Sequence, residues 1–454
     1  MSTSGQVQNR GQDQGRAWVL RRVRPLGGEP VDVLLADGVI AGWRPAGSTG
    51  PDSEGLPPGT TILDTDGLIL LPGLVDLHTH LREPGREDAE TVESGTRAAA
   101  LGGYTSVFAM ANTNPVADTA GVVEQVYRLG IDAGHCDVRP VGAVTVGLGG
   151  QRLAELGAMA GSAAGVRVFS DDGHCVSDAQ LMRRALEYVK AFDGVVAQHA
   201  EEPRLTEGAQ MNEGVVAARL GLPGWPAVAE EAIIARDALL AGHVDSRLHI
   251  CHVSTAGSVD IIRWAKAKGW RVTAEVTPHH LLLTDDLASS YDPVFKVNPP
   301  LRTAADVAAL RAGLADGTID CVATDHAPHA AQDKETEWAA ARPGMLGLET
   351  ALSVVIETMV VGGRLDWAGV ADRMALAPAR IGGLKSPAAD ASGSVAVGAP
   401  ATLTLLDPSP WQVVDPQALA SRSRNTPYAG RSLPGSVRAT FLRGRPTVLD
   451  GKIV

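Results

Sequence analysis

Between residues 73 and 384 short apolar runs alternate with longer stretches rich in Ala, Leu and Arg. The runs predict eight strands: Leu74–His80, Thr105–Ala111, Arg139–Val146, Val166–Asp172, Val195–Ala200, Leu248–Ser254, Val272–Thr277 and Ile319–Asp325. Each is nearly continuous in apolar residues, as a strand covered on both faces must be, and each leads into a helical stretch. An α/β chain with that rhythm predicts a closed (β/α)8 TIM-type barrel. An open doubly wound sheet competes, but no Gly-rich phosphate loop opens the first helix. No internal repeat is evident.

The flanks follow a different pattern. Residues 17–72 carry short β-like runs (Val31–Leu35, Val39–Trp43, Thr61–Asp64, Leu68–Leu71) broken by Gly, Pro and Asp, which predicts a small antiparallel sheet. Residues 385–454 carry Ser394–Val397, Ala401–Leu406, Ala439–Leu442 and Pro446–Val448. The two flanks are expected to pair into one small β-sandwich-like domain outside the barrel of residues 73–384. Residues 1–16, mostly Gln, Gly, Ser and Asn, read as a disordered tail without the apolar core of a signal peptide.

Composition narrows the function. Apolar residues make up 44% of the 454, and no run approaches the ~18 uninterrupted apolar residues of a membrane span. A net charge of −12 argues against nucleic acid as partner, since phosphate binding needs clustered Lys and Arg. An anionic small molecule is not excluded, because one local arginine suffices to hold it. The four cysteines, Cys136, Cys175, Cys251 and Cys321, show no CxxC spacing, which fits a reduced cytoplasmic protein. Cys251 and Cys321, within apolar strands, are expected in the core.

Candidate metal ligands gather at the ends of the expected strands. The first ends in Asp76-Leu77-His78-Thr79-His80, where two histidines two residues apart face the same side. Asp171 and Asp172 end the fourth, His199 the fifth, His249 and His252 occupy the sixth, and Asp325, His326 and His329 end the eighth. In a barrel these ends meet at one mouth, and histidine with carboxylate is a donor set for Zn2+.

Six segments now make the resemblance specific: DLHTHLREPG (76–85), FSDDG (169–173), TPHH (277–280), VNPPLR (297–302), ATDHAPH (323–329) and GLETA (347–351). In this order they resemble the dihydroorotases of the amidohydrolase superfamily, from about Ala17 to Val454. The resemblance implies a zinc-dependent hydrolase acting on cyclic amides. It would interconvert N-carbamoyl-L-aspartate and (S)-dihydroorotate in pyrimidine (UMP) biosynthesis. His78, His80 and Asp325 would hold one zinc, His199 and His252 a second, and Asp172 would bridge them. Asp171 is read as a supporting or turn residue. Relatives such as hydantoinases and allantoinases bridge with a carboxylated lysine, but the first lysine here is Lys190, far from the fourth strand's end. An aspartate bridge resembles the bacterial single-function dihydroorotases.

The same resemblance makes Arg82 the carboxylate-binding cation, with His80, Asn112, Asn298 and His329 also at the substrate and Pro343-Gly344 supplying backbone contacts. Pro343 stands where relatives carry an aromatic residue. The mechanism that fits is metal-assisted hydrolysis, with Asp325 taking a proton from the attacking water and passing it to the departing amide nitrogen. His279 and His280 either orient the metal ligands or make structural hydrogen bonds; His326 and His174 are read as structural. Residues 329–344 are expected to form a mobile lid, or else a solvated surface helix over Lys334–Ala341. The alternative functions are another cyclic amidohydrolase, or a non-catalytic scaffold of aspartate transcarbamoylase. Against the scaffold, all six ligand positions are filled. A homo-oligomer and association with the transcarbamoylase complete the expectations.

Overall fold

The computed structural model describes residues 16–50, 54–384 and 395–454. The tail expected at 1–16 lies, apart from Arg16, outside the described residues, as does Ser394.

The first five strands are β1 (Trp18–Pro25), β2 (Val31–Ala36), β3 (Val39–Pro45), β4 (Thr61–Asp64) and β5 (Ile69–Pro72). Eight more form the barrel: β6 (Leu74–Thr79), β7 (Tyr104–Ala109), β8 (Asp137–Pro140), β9 (Val168–Phe169), β10 (Val195–Gln198), β13 (Leu248–Ile250), β14 (Val272–Val276) and β15 (Cys321–Val322). Between β10 and β13 a short parallel pair, β11 (Met211–Asn212) and β12 (Gly224–Trp225), lies in the loop region. The chain ends with β16 (Leu403–Val413), β17 (Ser432–Leu442), β18 (Arg445–Leu449) and β19 (Lys452–Ile453).

All barrel pairings are parallel. Two bridges close the ring: Gly142 with Phe169 joins β8 to β9, and Thr79 with His326 joins β6 to the segment after β15. The closing seam is reinforced by Asp76, a fully buried carboxylate that accepts from Thr324 N (2.8 Å) and Thr324 Oγ1 (2.6 Å). Alternate strand residues serve two cores. Val75, Leu77, Phe108, Val141, Val168, Ala197, Cys251 and Cys321 fill the barrel interior, whereas Leu74, Val107, Val138, Val196 and Ile250 pack beneath the helices. This two-faced burial is why the strands read as continuous apolar runs.

The eight observed strands are shorter than the expected ones because the ligand-bearing ends leave the ladder. His252 and Asp325 adopt φ of 32° and 44°, sparsely populated for residues with a Cβ. The third strand departs most: β8 starts at Asp137, and Val146–Leu148 is a 3-10 turn.

The chain ends share one nine-stranded sheet, in the order β19-β18-β17-β16-β5-β1-β2-β3 with β4 beside β1. Antiparallel pairing of β5 with β16, from Leu403 opposite Pro72 to Leu406 opposite Ile69, joins the two flanks. The expectation of a purely antiparallel sheet is corrected. β1 runs parallel to β4 and β5, and a bulge between Leu20 and Val23 lets it serve both halves. β1 itself was not foreseen, because its arginines mask the alternation. The run 395–397 is no strand; the chain turns there at Gly398 (φ 87°), and residues 398–401 meet residues 38–40 through an isolated bridge of Pro400 with Val39 and flanking backbone hydrogen bonds. No helix among the described residues is long and apolar enough to cross a membrane.

Candidate metal centre and substrate site

Barrel closure brings together residues from opposite ends of the domain. The His80 amide donates to His326 O (2.8 Å) across the β6–β15 seam, which sets His78 and His80 beside Asp325. His80 Nε2 lies 3.1 Å and His78 Nε2 3.6 Å from Asp325 Oδ1. A second group adjoins the first: His199 Nδ1 and His252 Nε2 are 2.9 Å apart, and 3.4 and 3.2 Å from Asp172 Oδ1. Asp172 touches both groups, since Oδ1 is 3.3 Å from His78 Nε2 and Oδ2 is 3.3 Å from His80 Nε2. All six side chains are buried.

These spacings fit metal ions. Tetrahedral ligands at about 2.1 Å from an ion lie about 3.4 Å from one another. His78 Nε2 is buried without a hydrogen-bond partner, a cost that a cation would remove. Burial alone would lower His78, but Asp172 and Glu275 outweigh it and raise it well above the ordinary histidine range. Burial alone would likewise raise Asp172, yet His78, His199 and His252 hold it well below the usual carboxylate range. The site therefore attracts cations and keeps its carboxylates ionised.

Three carboxylates near the donors were not singled out in the sequence. Glu275, inside β14, places Oε1 2.7 Å from His78 Nδ1 and Oε2 3.0 Å from His249 Nε2. An acid within an apolar strand was the available signal. Glu201, two residues after His199, accepts from His199 Nε2 (2.8 Å) and Asn298 Nδ2 (3.1 Å). Glu90 holds His326 Nε2 at 3.3 Å, and His326 Nδ1 accepts from Gly347 N at 3.2 Å, so His326 is structural. Asp171 supports its neighbourhood by accepting from the Val144 and Thr145 amides. His280 is spent on Thr277 Oγ1 (2.8 Å) and Pro299 O (3.1 Å). Its neighbour His279 is buried with Nε2 unpartnered, and burial pushes it down to about 4.

The expected substrate residues ring this centre. Asn112 accepts from His80 Nδ1 (2.9 Å) and donates to Asp172 O (3.4 Å). Arg82 (φ 62°) anchors Nε on Pro328 O at 3.0 Å, and burial brings its guanidinium down to about 10. His329 donates from Nε2 to Pro343 O (2.8 Å), leaving Nδ1 buried without a hydrogen bond. Burial and Arg82 push His329 down to about 2, so its ring is neutral and Nδ1 is an acceptor. Only glycine fits at 344: φ is 142°, and a Cβ would meet His329 Nε2 at 2.7 Å.

Within residues 329–344 the expected surface helix is displaced. The helix is Ala331–Lys334 rather than Lys334–Ala341, and Lys334, Trp338 and Ala341 are buried. Lys334 Nζ donates to Lys296 O (3.2 Å), Arg342 O (2.9 Å) and Gly344 O (3.0 Å), folding the segment back on itself. The C-terminal flank also reaches this point. Asn425 Nδ2 donates to Ala327 O (2.9 Å) and Gly344 O (3.1 Å), while Oδ1 accepts from His329 N (3.1 Å).

Comparison with known proteins identifies the chain's relatives. A family model described as Dihydro-orotase-like matches residues 67–258. The chain is 68% identical over 435 residues to the dihydroorotase of Streptomyces coelicolor, covering 96% of this chain and 99% of that one. It is 58% identical over 436 residues to the dihydroorotase of Mycobacterium tuberculosis, with the same coverage of each. Among solved structures, the L-hydantoinase (dihydropyrimidinase) of Arthrobacter aurescens has a TM-score of 0.83 at 26% identity, covering 96% of this chain and 97% of that one. The dihydropyrimidinase of Brevibacillus agri NCHU1002, with a TM-score of 0.78 at 21% identity and coverage of 97% and 96%, shares the fold. Hydantoinases thus share the architecture at a distance, whereas identity over nearly the full length lies with dihydroorotases, and the chain belongs to the dihydroorotase family.

Proposed function

We propose that the barrel mouth hydrolyses the cyclic amide of (S)-dihydroorotate to N-carbamoyl-L-aspartate, and closes the ring in reverse, with two Zn2+ per subunit. The observation that carries this reading is the convergence of six buried nitrogen and oxygen donors at 2.9–3.6 Å. His78, His80 and Asp325 would hold one ion, His199 and His252 the other, with Asp172 between them. Bound there, zinc would make water nucleophilic at neutral pH and polarise the amide carbonyl.

The chain's own groups complete the chemistry. Dihydroorotate is a cyclic diamide bearing one carboxylate. The terminal nitrogens of Arg82 offer a planar fork to that carboxylate. Asn298 Oδ1 and His329 Nδ1 are buried acceptors without protein partners, matching two ring N–H donors. The Pro343 carbonyl, beside Gly344, accepts from His329 and keeps a second lone pair for the ring. Asp325, ionised beside His80, accepts a proton from the attacking water and delivers it to the departing nitrogen.

The reading further takes the chain as a cytoplasmic homo-oligomer able to associate with aspartate transcarbamoylase. Size determination of the protein alone and with the transcarbamoylase checks both points. The central test is ring opening of dihydroorotate by the purified protein, with hydantoin and allantoin alongside and metal content measured on the same sample. Selective turnover of dihydroorotate by zinc-containing protein supports the reading; a zinc-loaded protein inactive on dihydroorotate overturns it.

A further inference from the structure

Glu201 presents one oxygen to two donors. Oε2 lies 2.8 Å from His199 Nε2 and 3.1 Å from Asn298 Nδ2. The other oxygen, Oε1, accepts from Thr206 Oγ1 at 2.5 Å, so three donors hold the carboxylate in place. An ionised carboxylate has acceptors only. A flipped Asn298 amide would set Oδ1 against Oε2 and exchange a hydrogen bond for a repulsion. The orientation of this amide is therefore dictated by its neighbour, and Oδ1 is left buried with no partner. By the same logic Oε2 demands the proton on His199 Nε2, which turns the lone pair of Nδ1 towards His252 and Asp172.

We infer that Glu201 is a positioning residue that fixes the Asn298 amide as a hydrogen-bond acceptor for a substrate N–H, and so makes residue 298 selective for the unsubstituted amide. The inference rests on the assignment of Asn298 to the substrate site. A buried acceptor left unpaired is costly, whereas a ring N–H satisfies it. One carboxylate oxygen thereby links a metal-ligand histidine to the amide that reads the substrate, without itself touching substrate.

The test compares wild type, Glu201→Ala, Asn298→Ala, the double variant and Glu201→Gln, each zinc-loaded, with zinc content determined for every sample. KM and kcat for dihydroorotate ring opening are measured. Glu201→Ala and Asn298→Ala are each expected to raise KM about tenfold with a smaller change in kcat, and the double variant to match Asn298→Ala alone. Glu201→Gln keeps an oxygen for both protons while its NH2 turns to Thr206, and is expected to return KM to within about threefold of wild type. Multiplying KM effects in the double variant, or an unchanged KM in Glu201→Ala, would overturn the inference. So would a KM defect in Glu201→Ala that disappears once lost zinc is restored, since Glu201 would then serve His199 alone. A zinc-loaded wild type inactive on dihydroorotate overturns instead the reading of the site beneath it.

Discussion

His78 Nδ1 and Glu275 Oε1 lie 2.7 Å apart although 197 residues separate them in the chain. The carboxylate takes the Nδ1 proton, which leaves the lone pair of Nε2 for the space shared with Asp172 and Asp325. The second oxygen of Glu275 holds His249 Nε2 at 3.0 Å, and His249 Nδ1 in turn meets Thr273 Oγ1 at 2.9 Å. Glu201 sets the opposite tautomer on His199, whose Nε2 is occupied and whose Nδ1 faces the centre. Two carboxylates thus orient two histidines in opposite senses.

Glu275→Gln removes the charge while keeping the shape. Zinc affinity is expected to fall about 10- to 100-fold, the usual cost of losing such a partner. Competition with a chromophoric chelator measures it, and an unchanged affinity would remove Glu275 from this role.

Asp325→Asn keeps a ligating oxygen but cannot take up a proton. Turnover is expected to fall by at least about 100-fold, the lower end for a lost general base, with zinc still bound. Activity close to wild type would exclude Asp325 as the proton carrier.

Metal removal is expected to abolish activity and lower the melting temperature, because bound ions stabilise the folded state, His78 Nε2 is left without a partner and the two buried aspartates lose a cation. Dialysis against a chelator followed by zinc titration follows both signals. Full activity in demonstrably metal-free protein would refute the metal reading.

Asn425→Asp sets an acceptor against two carbonyls, Ala327 O and Gly344 O, now served by Nδ2. Gly344 O keeps Lys334 Nζ, but Ala327 O loses its donor, and an unpaired buried carbonyl costs about 1–3 kcal/mol, so denaturant stability should drop. KM should rise as the new repulsion shifts Ala327 and Gly344 against His329, whose amide the remaining Oδ1 still holds. A stable variant with wild-type KM would show that the C-terminal flank does not organise this edge of the site.

Lys334 gives a pH dependence. Burial, reinforced by Lys296, brings its ammonium down to about 7 from an ordinary value of 10.5. Between those two values the unfolded chain binds the extra proton, so this group's contribution to stability rises with pH. Wild type should therefore gain stability relative to Lys334→Met from pH 7 to pH 9. A difference that stays flat across that range would contradict the shift.

The rhythm of apolar runs was enough to place eight strands and their helices, because strand and helix periods follow from covalent geometry and act locally. The same two-residue period put His78 and His80 on one face before any fold was known. The ends of the strands, by contrast, were overrun: His252 and Asp325 leave regular geometry to aim their side chains, a local cost that only the closed barrel sustains. The parallel pairing of β1 with β4 and β5 was hidden for a related reason, since arginines on a bulged strand carry no clean alternation.

Residue type and position at strand ends thus gathered the candidate donors, motif order named the family, and the resemblance implied which six of them would hold metal. Which donor meets which was decided by closure of the barrel, where β6 joins the end of β15 across some 245 residues. The partners Glu201 and Asn425 have ordinary sequence surroundings, and Glu275 stands out only as an acid in an apolar strand, with no sign of what it meets. They matter only because hydrogen bonds form between groups that folding brings within about 3 Å, and chain spacing carries no record of that distance.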